Sequence, residues 1–109
     1  MAAGRMPDRV LAEFLGRLGV ALAAGIDPRT AVAAEAARVP RRWRPAVEAV
    51  RRGIAEGAGL GDSRRRAGRT FPPLVVGLAT VGDRTGREAE VHRDAGRALE
   101  RSVRSRREL

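Results

Sequence analysis

The chain has 109 residues, 43% hydrophobic and 32% charged, which fits one soluble globular domain and is too short for two. Aromatic residues are only 3% (Phe14, Trp43, Phe71), so Ala, Val and Leu must build the core, which argues against a β-sandwich and for helices. There is no cysteine, and every one of the 22 basic residues is arginine; thiolate metal sites, cysteine nucleophiles and lysine chemistry are excluded together.

Residues 1–7 carry no helix signal and read as a disordered N-terminal segment; residues 8–107 read as the folded domain. Asp8 is placed to cap a helix whose apolar positions, Val10, Leu11, Phe14, Leu15, Leu18, Ala21 and Leu22, share one face up to Gly25. Asp27-Pro28 starts a second helix, with the carboxylate on orphan amides and proline at the first helical position, running to about Arg38. Pro40 breaks the chain, and Pro45 keeps a straight third helix from starting before about Arg42, because only its first turn tolerates a missing amide proton. Trp43, Val47, Val50 and Ile54 form its stripe, and Gly57-Ala58-Gly59 ends it. Residues 62–67 suggest a short fourth helix carrying Arg64, Arg65 and Arg66. Phe71-Pro72-Pro73 enters a fifth, with Leu74, Leu78 and Val81 as the expected buried face. After Gly82-Asp83-Arg84-Thr85-Gly86 the last helix, from about 87 to 107, is expected to bury Val91, Ala95, Leu99 and Val103. The expected architecture is all-α, a single compact bundle of about six antiparallel helices.

Catalysis fits poorly. His92 is the single histidine and reads as a solvent-facing or half-buried structural residue, since one histidine needs partners to act. Glu88, Glu90 and Asp94 read with Arg93 and Arg97 as an ion-paired helical face, as does Glu100 with Arg104. Residues 57–61 resemble a phosphate loop only in composition, because they follow a helix and no lysine comes after them. The net charge of +9 favours an anionic partner. Arg38, Arg41, Arg42, Arg44, Arg51 and Arg52 form one basic cluster, and Arg64 to Arg66 with Arg69 form another; such clusters attract phosphates. No nucleic-acid readout motif accompanies them. The start of the chain lacks the apolar stretch of a secretory signal, and its most apolar run, 20–26, is far short of the roughly 20 residues needed to span a bilayer.

Four segments in order resemble the type II secretion system protein F domain. Phe14-Leu15-Gly16-Arg17-Leu18 with Leu22-Ala23-Ala24-Gly25-Ile26 is similar to the family's opening helix and its Ala-Gly-Leu/Ile turn. Glu56-Gly57-Ala58-Gly59-Leu60 is similar to its Glu-Gly-x-x-Leu turn, and Phe71-Pro72-Pro73-Leu74 to its Phe-Pro-Pro-Leu entry. Val81-Gly82-Asp83-Arg84-Thr85-Gly86 is similar to its Gly-Glu-x-Ser/Thr-Gly segment, and Glu90-Val91 to the acidic-apolar pair that follows. The chain departs from the family pattern at Asp83, where glutamate is usual, at Glu88 or Ala89, where leucine is usual, and near Ser63 and Arg64, where an apolar residue is usual.

The resemblance implies a non-enzymatic six-helix scaffold domain on the cytoplasmic face of the bacterial inner membrane, within a secretion or pilus-assembly platform protein. Its implied partners are the assembly ATPase and other platform proteins, with a homodimer left open, and no specific nucleic acid. A small basic helical nucleic-acid-binding protein is the alternative. No catalytic, cofactor-binding or metal-ligating residue is expected. Gly25, Phe71, Pro72, Gly82, Asp83 and Gly86 are the motif positions, open to partner contact or to purely structural use. Arg101, Arg104, Arg106 and Arg107 are candidates for a membrane-proximal basic segment, and an apolar run of about 20 residues is expected after Leu109.

Overall fold

Most of the local start and stop signals act where they stand in the computed structural model, which describes residues 4–108. Six α-helices follow one another: α1 (Asp8–Ala23), α2 (Pro28–Arg38), α3 (Arg44–Ala55), α4 (Leu60–Arg66), α5 (Pro73–Thr85) and α6 (Glu88–Glu108). Short 3-10 turns at Arg41–Trp43 and Gly68–Thr70 lead into α3 and α5. There is no strand among the described residues.

At the start of α1 the capping position is Pro7, not Asp8. Asp8 is the first helical residue, and its carboxylate accepts from Arg5 at 3.1 Å and Arg106 at 3.0 Å. Proline already fixes the backbone there, leaving the acid to face the positive helix end and two guanidinium groups. The other end follows the sequence. Gly25 takes φ 84°, and Ile26 N–H reaches back to the Ala21 carbonyl at 3.1 Å, so the last carbonyls of α1 are satisfied inside the turn. At α2 the Asp27 carboxylate accepts from Arg29 N–H at 2.8 Å, and that backbone bond holds its carboxyl below the usual range.

The expected disordered segment over 1–7 is corrected for its described part. Met6 is fully buried, and its amide donates to the Thr70 carbonyl at 2.9 Å. Burying the thioether chain and pairing the amide both oppose fraying.

Each helix packs on the next, and α6 returns to α1, so the six close into a ring. Phe14 and Leu18, Val32, Val47 and Val50, Phe71 and Ala79 meet in one core. The Cα radius of gyration is 12.9 Å, the value expected of a compact chain this long. Glycines set the closest approaches. A Cβ on Gly96 would lie 3.0 Å from Gly16 N, locking α6 against α1, and one on Gly61 would lie 2.7 Å from Thr80 N, locking α4 against α5.

Those approaches overturn one expected face, in α5, and leave another, in α6, only partly inside, with Ala95 and Leu99 packed on the core. In α5, Leu74 is 73% exposed, Val81 53% and Leu78 36%; Val75, Val76, Ala79 and Gly82 face the core instead. The helix is apolar on two sides, and the side with the small residues is the one that α4 and α6 can approach. In α6, Val91, Ala95, Leu99 and Val103 are only half-buried, while His92 and Gly96 lie fully inside. The contact at Gly96 turns the helix so that its apolar stripe flanks the seam.

Candidate functional site

Three of the motif positions, Gly82, Asp83 and Gly86, lie at the junction of α4, α5 and α6, whereas Gly25 ends α1 and Phe71 and Pro72 stand at the other end of α5. Asp83, in the last turn of α5, is half-buried and accepts from Gly61 N–H at 2.9 Å. Gly61 is the second residue of α4, whose own capping residue, Gly59, has no side chain to offer. Asp83 therefore caps α4 from a different helix. A Cβ at 59 would stand 2.5 Å from the Asp83 carboxylate, so a side chain there would displace the capping group. Gly82 lies against Glu88, and Gly86 ends α5 at φ 71°, with Arg87 N–H bonding back to the Gly82 carbonyl at 3.1 Å. Glu88 opens α6, and burial, with the Asp83 charge nearby, raises its carboxyl above the usual range. Pro28, Gly59, Asp83 and Glu88 share a shallow cleft of about 240 Å³, which brings the start of α2 to the same place.

Beside this junction lies a polar group in the core that sequence reasoning missed. Arg64 is 1% exposed, and its guanidinium carbon sits 5.7 Å from the Phe14 ring centroid and 5.8 Å from that of Phe71. The two rings are themselves 5.8 Å apart. Burial pushes the Arg64 pKa down to about 10, opposed by the Asp83 charge, so the side chain remains a cation at neutral pH. Its Nε and Nη2 have no partner. Phe71 is thus half of an aromatic clamp on a desolvated cation. Pro72, the residue before α5, is half-buried and shapes that helix start.

His92 is also inside, at 1% exposed, and not at the surface or half-buried as expected. Its Nδ1 donates to the Glu88 carbonyl at 2.6 Å, which leaves Nε2 as a lone-pair acceptor, buried and unpartnered. Burial, then the Arg64 charge, push its pKa down to about 3, against that hydrogen bond. A neutral imidazole sealed from solvent fills the interior beside α6's own backbone and cannot shuttle protons to a substrate. Its burial, and that of Arg64, had no signal in the sequence beyond the apolar residue usual near position 64 of the family pattern.

The basic clusters are partly consumed by the fold. Arg64 leaves the surface. Arg65 pairs with Asp62 at 3.5 Å, Arg66 with Glu56 at 2.9 Å and Arg51 with Glu48 at 3.0 Å. On α6, Glu100 pairs with Arg104 at 3.1 Å as expected, but Glu90 takes Arg87 and neither Arg93 nor Arg97 gains an acidic partner among the described residues. Of the C-terminal arginines, Arg101 is exposed, Arg104 is held by Glu100 and Arg106 by Asp8; the Arg107 side chain lies outside the described residues. No described helix is long and apolar enough to cross a membrane.

A family model described as type II secretion system (T2SS), protein F matches residues 14–109, most of the chain and all of the junction above. No curated protein matches it.

Proposed function

The chain belongs to the type II secretion system protein F family, whose members are components of a secretion platform, and from that membership we propose a non-enzymatic cytoplasmic scaffold domain. It docks the assembly ATPase and other platform subunits at the inner membrane, in a type II secretion or type IV pilus machine. The observation that carries this reading is the family match over residues 14–109. The packing supports it: Asp83 on α5 caps α4, and Phe71 and His92 are buried in the interior, which suits a rigid docking block better than a catalytic cleft.

Capture on the immobilised 109-residue chain tests the reading, with the purified assembly ATPase of the same organism as the probe. Retention of the ATPase at physiological salt, with no nucleotide hydrolysis by the chain alone, is the expected result. A chain that retains no ATPase but shifts a defined DNA fragment at the same salt would transfer the assignment to a basic nucleic-acid-binding protein.

A further inference from the structure

The close contact of α1 and α6 leaves a trench along one side of the helix pair. Its floor is made of small and apolar side chains, Ala12, Gly16, Val20 and Ala21 of α1, with Ile26 from the following turn. The main hollow is about 560 Å³. A second, of about 380 Å³, shares Ala12, Gly16 and Glu100 with it and carries the trench on towards Val103. The floor between Ala12 and Ala24 alone runs about 18 Å along α1, the length of three helical turns. Val20 is 65% exposed and Ile26 42%, so large apolar side chains stand open to water inside a concave surface.

The rim is basic. Arg93 and Arg97 project from α6 on one side, and neither has an acidic partner among the described residues. Arg17 and Arg38 close the other side, tied down by the buried Glu35, at 2.9 Å and 3.4 Å. Glu100, the one carboxylate lining the main hollow, is already held by Arg104. The surface therefore joins an apolar floor to unspent positive charge on a rigid edge.

We propose that this trench seats an acidic amphipathic helix from a partner protein, with aliphatic residues at i, i+3/i+4 and i+7 on the floor and carboxylates on Arg93 and Arg97. A straight groove between two helices fits a third helix, and the anchors of such a ligand fall on one stripe. The free arginines select for acid and speed encounter, while the floor supplies the apolar contact. A phosphate backbone matches the rim but would leave Val20, Ala21 and Ile26 uncovered. The proposal rests on the docking reading above and names the surface and the chemistry of the docked segment.

The test is anisotropy of a labelled helical peptide of about 18 residues, with leucines on one stripe and glutamates flanking it, titrated with the 109-residue chain. Val20→Glu and Arg97→Glu should each weaken binding about tenfold or more; both side chains are exposed, and melting curves establish that the variants stay folded. A peptide with lysine for glutamate should bind Arg97→Glu better than the wild type. The double change Arg41→Glu/Arg44→Glu, on an exposed basic stretch outside the trench, should leave affinity unchanged. Equal losses at Arg97 and at Arg41/Arg44 would reduce the effect to net charge and overturn the proposal. So would a Val20→Glu variant that binds normally, or a DNA duplex that displaces the peptide from wild type and from Val20→Glu alike. The assay contains no ATPase, so its failure leaves the capture result to stand on its own.

Discussion

Arg64 carries an unfavourable charge in a favourable shape. A shift from 12.5 to about 10 says that its surroundings disfavour the cation by about 3 kcal/mol. Its two phenylalanine faces offset part of that by cation–π attraction, while its Nε and Nη2 stay unpaired. Replacing it by an unbranched apolar chain should therefore win: Arg64→Met is expected to stabilise the domain by about 1 kcal/mol in urea unfolding. Arg64→Ala, which empties the same space, should destabilise it by about 2 kcal/mol or more. His92 makes stability depend on pH. Unfolded, it binds a proton below about 6.5; folded, it stays neutral down to about 3. The stabilisation it allows is thus complete above pH 6.5 and is lost as the pH falls towards 3. We expect about 3 kcal/mol of loss between pH 6.5 and pH 4. Glu88, whose folded carboxyl is raised, works in the opposite sense just above its unfolded value of 4.5. Urea midpoints of wild type and His92→Asn across this range check the slope. The variant should be weaker at pH 6.5 but lose much less stability than the wild type by pH 4.

Helix faces are chosen at the next scale up, by which backbones can touch. Gly61 and Gly77 show the difference. A Cβ at 61 meets the backbone of Thr80, whereas one at 77, in the middle of α5, meets nothing within 4 Å. Gly61→Ala should push α4 from α5 and lower stability by about 2 kcal/mol. Gly77→Ala should raise it by a few tenths to about 1 kcal/mol, because alanine loses less backbone freedom in a helix. Thermal melts of the two variants should move in opposite directions; a fall in both would show that α5 is packed on its outer side as well. The same logic explains Leu74, Leu78 and Val81. Their stripe is as regular as that of Val75, Val76 and Ala79, but α4 and α6 reach only the face where Ala79 and Gly82 leave room.

In the molecule as a whole, the first and last helices pack together, and Arg106 and Asp8 form an ion pair across 98 positions of sequence. Trp43, 4% exposed ahead of α3, belongs to the same core as Phe14 and Leu18 of α1, against which Leu99 of α6 packs. The domain should therefore unfold in one step. Trp43 fluorescence and far-ultraviolet circular dichroism are expected to give coincident urea midpoints. Helical signal lost before the tryptophan responds would show that the α1–α6 pair opens separately from α2–α5.

What the sequence determined by itself was local or periodic. Asp27-Pro28 starts a helix because a carboxylate and a missing amide proton suit the first turn, and Gly25 ends one because the turn needs a left-handed residue. The stripe of Val47 and Val50 with Trp43 was legible for the same reason: α3 has one apolar face and no competitor. The run of family motifs was also legible, and with it the fold class. Only the tertiary structure decided the rest. It chose between the two apolar faces of α5, turned α6 about Gly96, joined Asp83 to an amide 22 residues away, and set Arg64 inward while its neighbours Arg65 and Arg66 faced water. Each of these depends on which backbone passes nearby, and neither the spacing of residues along one helix nor their charge contains that information.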